Sequence, residues 1–580
     1  MRESENRPQS VEAKNSYGSV EASGGSSINA SPTENDLTGI VRVPNNSTSY
    51  NDDTYFQEQI EVPDSTNYSF SWRKLWAFTG PGFLMSIAYL DPGNIESDMQ
   101  SGTIAGYKLL WLLMWSTIFG LLVQRLAARL GTVTGSHLAE VCYEKYPRFI
   151  RYVLWIMVEI AIIGSDMQEV VGTAIALYIF SNRKLPLYGG VIITICDTFT
   201  FLFLDKYGLR KLECFFGFLI LTMVVTFGYE FVKIKPLASS IAKGLAIPSC
   251  ANCTSDALDQ AVGIIGSIIM PHNLYLHSAL VKSRKVNRNN YEEVKDANRY
   301  VFIEAAIALG VSLIINISVT SVFAAGLYGK TNLDVFNMCK NDHTDLIDKT
   351  VFTNESTPLK MNLYKAGVFL ACRFAGGIPW PMYIWAIGIF AAGQSSTMTG
   401  TYSGQFVMEG FLNLNWTRWK RVLLTRTVAI IPTLYIAFQK DITQLSGMND
   451  FLNALMSLML PFALIPLLTF TSSKRIMGRF KNGTLTIILT SLLSLLVIGV
   501  NLYFVYKYIN EHFGSEWYII LPLSLFFIFY ISIVIILVGF FLTILGVQCF
   551  ARVPYFRKCM SEGYDFDKEP IASNFTYSST

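Results

Sequence analysis

The chain returns repeatedly to unbroken apolar runs of about 20 residues, the length needed to cross a hydrocarbon core of about 30 Å; Ile487 to Tyr506 is one such run. Segments of this kind, repeated along 580 residues, cannot all be folded into one water-soluble core. Charged residues make up 15% of the chain, far from the roughly 25% of a soluble domain, so the solvent for most of it is a bilayer. Between Trp76 and Leu545 the sequence holds about twelve windows of spanning length. The runs are continuous rather than alternating, which excludes a transmembrane β-barrel. The expectation is an all-α polytopic membrane protein.

Residues 1–70 are rich in Ser, Asn, Glu and Thr, a composition that buries too little apolar surface to offset ordering, and are expected to be a disordered cytoplasmic tail. No removable signal peptide is evident. The transmembrane domain is expected over 71–548 and a second cytoplasmic tail over 549–580. With the N-terminus inside and every span crossing once, the inner loops carry Lys206, Arg210 and Lys211, then Lys282, Arg284, Lys285 and Arg288, then Arg418, Lys420 and Arg421, and last Lys474, Arg475, Arg479 and Lys481. That distribution obeys the positive-inside rule. The long loop between about Tyr328 and Leu363 then lies outside, where Asn354-Glu355-Ser356 is a glycosylation acceptor sequence. Similar triplets at Asn46, Asn415, Asn482 and Asn574 fall inside and read as chance matches. Most of the nine cysteines, Cys196 and Cys214 among them, sit in or beside apolar spans and read as packing residues. Cys250 and Cys253 differ, being in an external loop where a disulfide persists; a metal clip is the weaker alternative, because no second pair or His is nearby.

Two spans are interrupted. The first, Leu75 to Gly106, contains Asp91-Pro92-Gly93-Asn94, and the sixth, about Leu258 to Val281, contains Met270-Pro271-His272. Proline removes a backbone donor and clashes with the preceding turn, so each helix should break there. Freed backbone groups at membrane depth are tolerated only when buried in protein or lining a wet cavity. The breaks occupy corresponding positions if residues of about 75–235 and 257–472 are two inverted halves, with extra helices over about 484–546, and paired broken helices point to a transporter's central site.

At the breaks, Asp91, Asn94 and Met270 offer a carboxylate, an amide oxygen and a thioether, with freed carbonyls beside them. The oxygens alone suit magnesium or calcium, whereas the soft sulfur favours transition ions from manganese to zinc. The plain alternative is a helix-capping Asp and a gap-filling Met. In span three, Glu159, Asp166 and Glu169 are spaced by seven and three and so share one helical face. Acids inside a bilayer are functional candidates by default, either as a proton relay or as partners of a buried base such as Arg426. His272 and His277 follow Met270 directly, and histidine titrates near physiological pH. A role in proton coupling is expected for them.

At these residues the chain resembles the Nramp family of proton-coupled divalent-metal transporters, in its animal branch. The resemblance runs over about residues 70 to 550 and rests on Gly80-Pro81-Gly82, the run from Asp91-Pro92-Gly93-Asn94 to Gly102, Met270-Pro271-His272, and Gly393-Gln394-Ser395-Ser396-Thr397-Met398-Thr399-Gly400 leading into Tyr402-Ser403-Gly404-Gln405. It implies a LeuT-like inverted repeat of ten helices plus two, with import of iron(II), manganese and related ions. Asp91, Asn94 and Met270 match the family's metal ligands; Ser267 stands where members commonly have Ala and supply a backbone carbonyl. Asp166, Glu169, His272 and Arg426 match positions tied to proton passage. Asn453 lies where some relatives bring an amide near the ion, and Met456 and Met459 replace common glutamines. The motif Tyr17-Gly18-Ser19-Val20 is similar to an endosomal sorting signal of lysosomal members, which implies sorting adaptors as partners and an endosomal address, with the plasma membrane as the alternative.

A sodium-coupled organic-solute symporter would share the broken-helix design, but Met270 argues against it. A net charge of +3 does not suggest nucleic acid, and no nucleophile and base pair suggests an enzyme or a permanently bound cofactor. A passive channel is separated from a symporter only by experiment.

Overall fold

The computed structural model describes residues 60–63, 70–194, 209–250, 253–340, 351–374, 379–413, 418–439, 446–512 and 517–547. The motif at Tyr17 and Val20, the triplets at Asn46, Asn415 and Asn574, Cys196 and Lys206 lie outside them, as does the side chain of Arg426. The described secondary structure is helical apart from one two-stranded pairing and an isolated antiparallel bridge between Thr331 and Pro358.

The first span is built in three pieces: α1 (Trp72–Phe78), α2 (Pro81–Ile87) and α3 (Pro92–Ala105). Pro81, Pro92 and, later, Pro271 each stand at the first helical position, where a missing N–H costs nothing and a fixed φ favours the helix. The non-helical residues are therefore Ala88–Asp91, not Asp91–Asn94 as the sequence suggested: Pro92, Gly93 and Asn94 already form the first turn of α3. A further interruption at Thr79–Gly80 was not anticipated; Gly80 has φ +146°, open to glycine alone.

Next come α4 (Leu110–Thr134), the short α5 (Leu138–Lys145) and the 33-residue α6 (Arg148–Phe180), followed by α7 (Leu209–Ile234) and α8 (Ala238–Ala246). The sixth span is α9 (Ser255–Ile268) and α10 (Pro271–Leu280), separated by a bend at Ile269 and by the extended Met270. Then follow α11 (Tyr291–Leu327), α12 (Asn332–Lys340), α13 (Leu363–Phe374), α14 (Trp380–Leu412), α15 (Arg418–Gln439), α16 (Ser446–Met459), α17 (Pro461–Ser472), α18 (Lys474–Met477), α19 (Thr484–His512) and α20 (Trp517–Ile544).

Six described segments are long and apolar enough to cross a bilayer on composition alone, or seven with one bent pair counted. The sequence suggests about twelve, and much of the difference has a physical cause: α6 and α14 carry the polar groups of the interior, the first span is divided into pieces of 7, 7 and 14 residues, and α13 has only 12. Placement follows the same logic. The most apolar 18-residue stretch of the sixth span is entirely buried in protein, whereas that of the last is only 28% buried and turns its apolar side chains outward, so the interrupted span lies at the centre and the uninterrupted one at the rim.

Two expectations need correction. The N-terminal tail is not without structure up to residue 70, because β1 (Ile60–Glu61) pairs in parallel with β2 (Arg284–Lys285) beyond the sixth span. Cys339 and Cys372 do not merely pack: they form a disulfide that ties α12 to α13, in addition to the Cys250–Cys253 disulfide. Cys142 and Cys214 are free, and Cys214 is exposed. Of the acceptor triplets, Asn354 is exposed. Asn482 is buried, and its amide nitrogen donates to the Thr471 hydroxyl at 2.9 Å, so it is closed to a glycan.

Candidate functional site

The two breaks meet because opposite halves pack on one another, the N-terminal half of each span against the C-terminal half of the other. Helix α9 lies along α3, and α10 lies against α2. A side chain at Gly263 of α9 would touch the Ser97 hydroxyl of α3, and one at Gly266 would collide with Ser457 and approach the Asn453 carbonyl of α16. Small residues on α9 thus permit the close approach.

Both breaks free a carbonyl for the same reason. Pro92 cannot donate to Ala88, and Pro271 cannot donate to Ser267, each four residues earlier. At the first break the Ala88 carbonyl accepts from Asn94 Nδ2 at 3.4 Å. That contact orients the amide: with its nitrogen held on a carbonyl, Oδ1 must face elsewhere, and this buried oxygen has no partner among the described residues. Asp91 is the N-cap of α3 and accepts from Asn94 N–H at 2.6 Å, leaving further acceptor capacity on the carboxylate. Asp91, Asn94, Ser267 and Met270 are all at most 2% exposed. The capping role expected as the plain alternative for Asp91 is therefore real, and it fixes the carboxylate at the break.

Helix α11 holds the first break in place. Ser312 donates to the Ser86 carbonyl at 2.9 Å and Asn316 to the Tyr89 carbonyl at 3.1 Å. Irregular backbone within a bilayer needs such partners.

A polar network that the sequence reading did not single out closes the other side. Gln168 of α6 donates to Asn449 Oδ1 and to Asn453 Oδ1, the latter at 2.9 Å, and Asn449 donates to the Gly93 carbonyl at 3.4 Å. The Asn453 oxygen, expected near the ion, is thus occupied by Gln168 in this conformation. The signal for Gln168 was present in the sequence: an amide between Asp166 and Glu169 in an apolar helix. Beside this network, Pro92, Gly93, Glu96, Gln168, Asn362 and Asn449 line a cleft of 10 Å³, room for about one water. The approach on that side is closed.

On α6, Asp166 and Glu169 are buried against Gly400 of α14, where any side chain would strike the Asp166 carboxylate. Ser165 donates to Glu169 at 3.2 Å. Glu159 is only partly buried, nearer the edge. His272 and His277 are both buried. The Ser403 hydroxyl of α14 donates to the His272 carbonyl at 3.1 Å, and both ring nitrogens of His277 lack partners among the described residues. Met456 and Met459 are buried; Met456 approaches α6 at Gly164 and Met459 joins the apolar core. Among the described residues no group of three or more His, Cys, Asp or Glu could hold a metal ion. A site made of one carboxylate, one amide, one thioether and main-chain oxygens would not form such a group.

Two proline-opened half-helix pairs side by side in a membrane domain, with polar groups gathered at their junction, define a transporter of the broken-helix class. The family profile "Natural resistance-associated macrophage protein-like" matches residues 82–507. Natural resistance-associated macrophage protein 2 of Rattus norvegicus is 62% identical over 458 residues, 79% of this chain and 80% of that protein. Protein Malvolio of Drosophila melanogaster is 61% identical over 457 residues, 78% of this chain and 76% of its own length. Among solved structures, a mutant form of the Eremococcus coleocola manganese transporter aligns with a TM-score of 0.70 at 30% identity, covering 85% of this chain and 99% of that one. The chain belongs to the Nramp family.

Proposed function

We propose that this chain is a symporter that carries divalent transition-metal ions, iron(II) and manganese(II) among them, into the cytoplasm together with protons. The observation that carries the reading is the pair of breaks: Pro92 and Pro271 free the carbonyls of Ala88 and Ser267 beside Asp91, the outward-turned Asn94 oxygen and Met270. A small dication there would take carboxylate, amide, main-chain and thioether donors, and the thioether would favour a borderline-soft ion over calcium. The same site reads as an alternating-access centre, because its approach past Gln168 is closed while the packing of α9 on α3 and of α10 on α2 sets the two breaks side by side. The manganese transporter named in the Eremococcus coleocola structure has this fold, which supports manganese as one substrate.

Protons would travel by Asp91, His272 and His277, and by Glu159, Asp166 and Glu169 along α6 toward Arg426. A potential of 100 mV is worth about 2.3 kcal/mol per charge, so one proton sustains roughly a forty-fold metal gradient. The exposed Asn354 fits a glycosylated outer loop, and Tyr17 with Val20 fits an endosomal sorting signal read by adaptors, with both termini cytoplasmic. Uptake of manganese into sealed proteoliposomes, with and without an inward proton gradient, tests the reading. Stimulation by the gradient at zero membrane potential supports it, and uptake that follows only the metal's own gradient makes the chain a channel. Asp91→Ala should abolish uptake in protein that still elutes as a folded species.

A further inference from the structure

We propose that a cavity at the inner ends of α4 and α11 is a binding site for the headgroup of an anionic phospholipid of the cytoplasmic leaflet; the leaflet rests on the topology of the proposed function, the site itself does not.

The cavity has a volume of 270 Å³ and is bounded by Arg125 and Arg129 of α4 and by Lys295 and Arg299 of α11. None of its lining residues is an acid. Glu292 meets Lys295 at 3.0 Å on the exposed side, and among the described residues no ion pair joins Arg125, Arg129 or Arg299 to a carboxylate. Arg125 stacks its guanidinium over the Phe302 ring at 4.8 Å, which fixes the group without neutralising it. Arg129 donates to Asn482 Oδ1, yet its buried Nε–H has no partner among the described residues. A buried guanidinium donor left open beside three further cations suits the oxygens of an anion.

What selects a lipid is the surface running away from the cavity. On α4, Trp115 and Ile118 are exposed, at 56% and 37%, and lie on the face that ends at Arg125. On α11, Ile314 and Ile307, exposed at 66% and 49%, lie within about 80° of Arg299 around the helix. Residues 299 and 314 are about 22 Å apart along the helix axis, enough to run beside an acyl chain across one leaflet. Two apolar stripes that converge on one cluster of cations match a molecule with two apolar tails and one anionic head. Basic pockets between transmembrane helices on the cytoplasmic side take such headgroups. A soluble phosphate would satisfy the cations but would make no use of the apolar surface beside them.

The test uses the purified full-length chain in phosphatidylcholine-containing micelles, with retained lipids counted by native mass spectrometry. Phosphatidylinositol 4-phosphate is the probe, inositol 1,4-bisphosphate the soluble control. The expected result is retention of the lipid, no comparable retention of the soluble headgroup, and roughly tenfold or greater weakening in Arg125→Gln/Arg299→Gln. The single variant Arg299→Gln, on an exposed side chain, should show a smaller loss in the same direction and stands in if the double variant does not fold. Equal retention of inositol 1,4-bisphosphate, or undiminished lipid retention in the variants, overturns the proposal. Manganese uptake in pure phosphatidylcholine vesicles reports on transport separately, so either reading can fail alone.

Discussion

The short helix α2 has an N-terminus that no local side chain caps, and a residue from another helix serves it instead. Glu304 of α11 accepts from Gly80 N–H at 2.6 Å, from Gly82 N–H at 2.9 Å with both oxygens, and from Phe83 N–H at 3.3 Å. Arg284 extends the cluster by binding the Thr79 carbonyl at 2.6 Å and Glu213 at 2.8 Å. Glu304→Gln keeps the shape, replaces a charged acceptor by a neutral one and turns an NH₂ group toward backbone donors. Charged hydrogen bonds contribute about 1.5–3 kcal/mol against about 0.5–1.5 for neutral ones. Over the two shortest contacts the substitution should weaken the docking of α2 by about 2–3 kcal/mol. That is roughly a thirty- to 150-fold rise in the population with α2 undocked, if it starts as a minor state. Ser86 of α2 is 1% exposed. With Ser86→Cys on a background lacking other free thiols, a water-soluble thiol reagent applied from the cytoplasmic side should label the Glu304→Gln protein tens of times faster. Unchanged labelling in a variant that retains its melting behaviour would show that Glu304 does not hold this half-helix.

Other expectations follow from single sites. Met270→Ala should retain manganese uptake while admitting calcium, as read from competition uptake; calcium exclusion as tight as before would remove the selectivity role of the thioether. His137, outside the spans at the start of α5, is pushed down to about 4, mainly by burial and further by Lys282, with Glu140 opposing. A base with a depressed folded pKa favours the folded state above its unfolded value of about 6.5 and loses that contribution as pH falls toward the folded value. Acidification from pH 7 to 5 should therefore cost about 2 kcal/mol through this residue, and His137→Gln should flatten the pH dependence of the melting temperature over that interval. The Cys339–Cys372 bridge spans a separation of 33 residues, so Cys372→Ser should lower stability by about 3–4 kcal/mol in the chain-entropy account. Thermal melts under oxidising and reducing conditions would read it. Asn354→Gln should abolish any glycan-dependent shift on electrophoresis, whereas Asn482→Gln should lower stability without altering glycosylation.

The legibility of this chain divides along the range of its interactions. The spans and both breaks could be read because proline acts on its own neighbours: Pro92 and Pro271 mark their carbonyls four residues back whatever the rest of the protein does. The donors Asp91, Asn94 and Met270 lie within two residues of those prolines, so they came with the breaks. The exact limits did not, because a proline opening a helix and a proline ending one look alike in sequence; only the capping contact from Asp91 to Asn94 assigns Pro92 to the following helix. Gln168 was missed because an amide is informative only once its partners are known, and Asn449 and Asn453 are some 280 residues away. Arg284 was read as a topogenic charge in a loop, yet it is 1% exposed and bound to Glu213.

The same long-range contacts bear on how an ion at the breaks could be felt elsewhere. Glu304, Ser312 and Asn316 lie on one helix and grip the first span at the α2 N-terminus, at Ser86 and at Tyr89. The outer two are twelve residues apart, about 18 Å along α11. Between them lie the end of α2 and the residues just before Asp91. A cation drawing Asp91 and the Asn94 oxygen toward Met270 would pull on backbone that Asn316 holds at Tyr89, two residues from Asp91. Movement of α2 must therefore break the Glu304 contacts while the Asn316 contact, nearest the ion, persists as the pivot. If so, Asn316→Ala should weaken metal binding more than Glu304→Gln does, and Glu304→Gln should alter the balance of conformers more than Asn316→Ala does. Equilibrium metal binding and cysteine labelling at residue 86, measured on the same two variants, separate these effects. An equal ranking in both assays would mean that α11 releases the first span as a single unit.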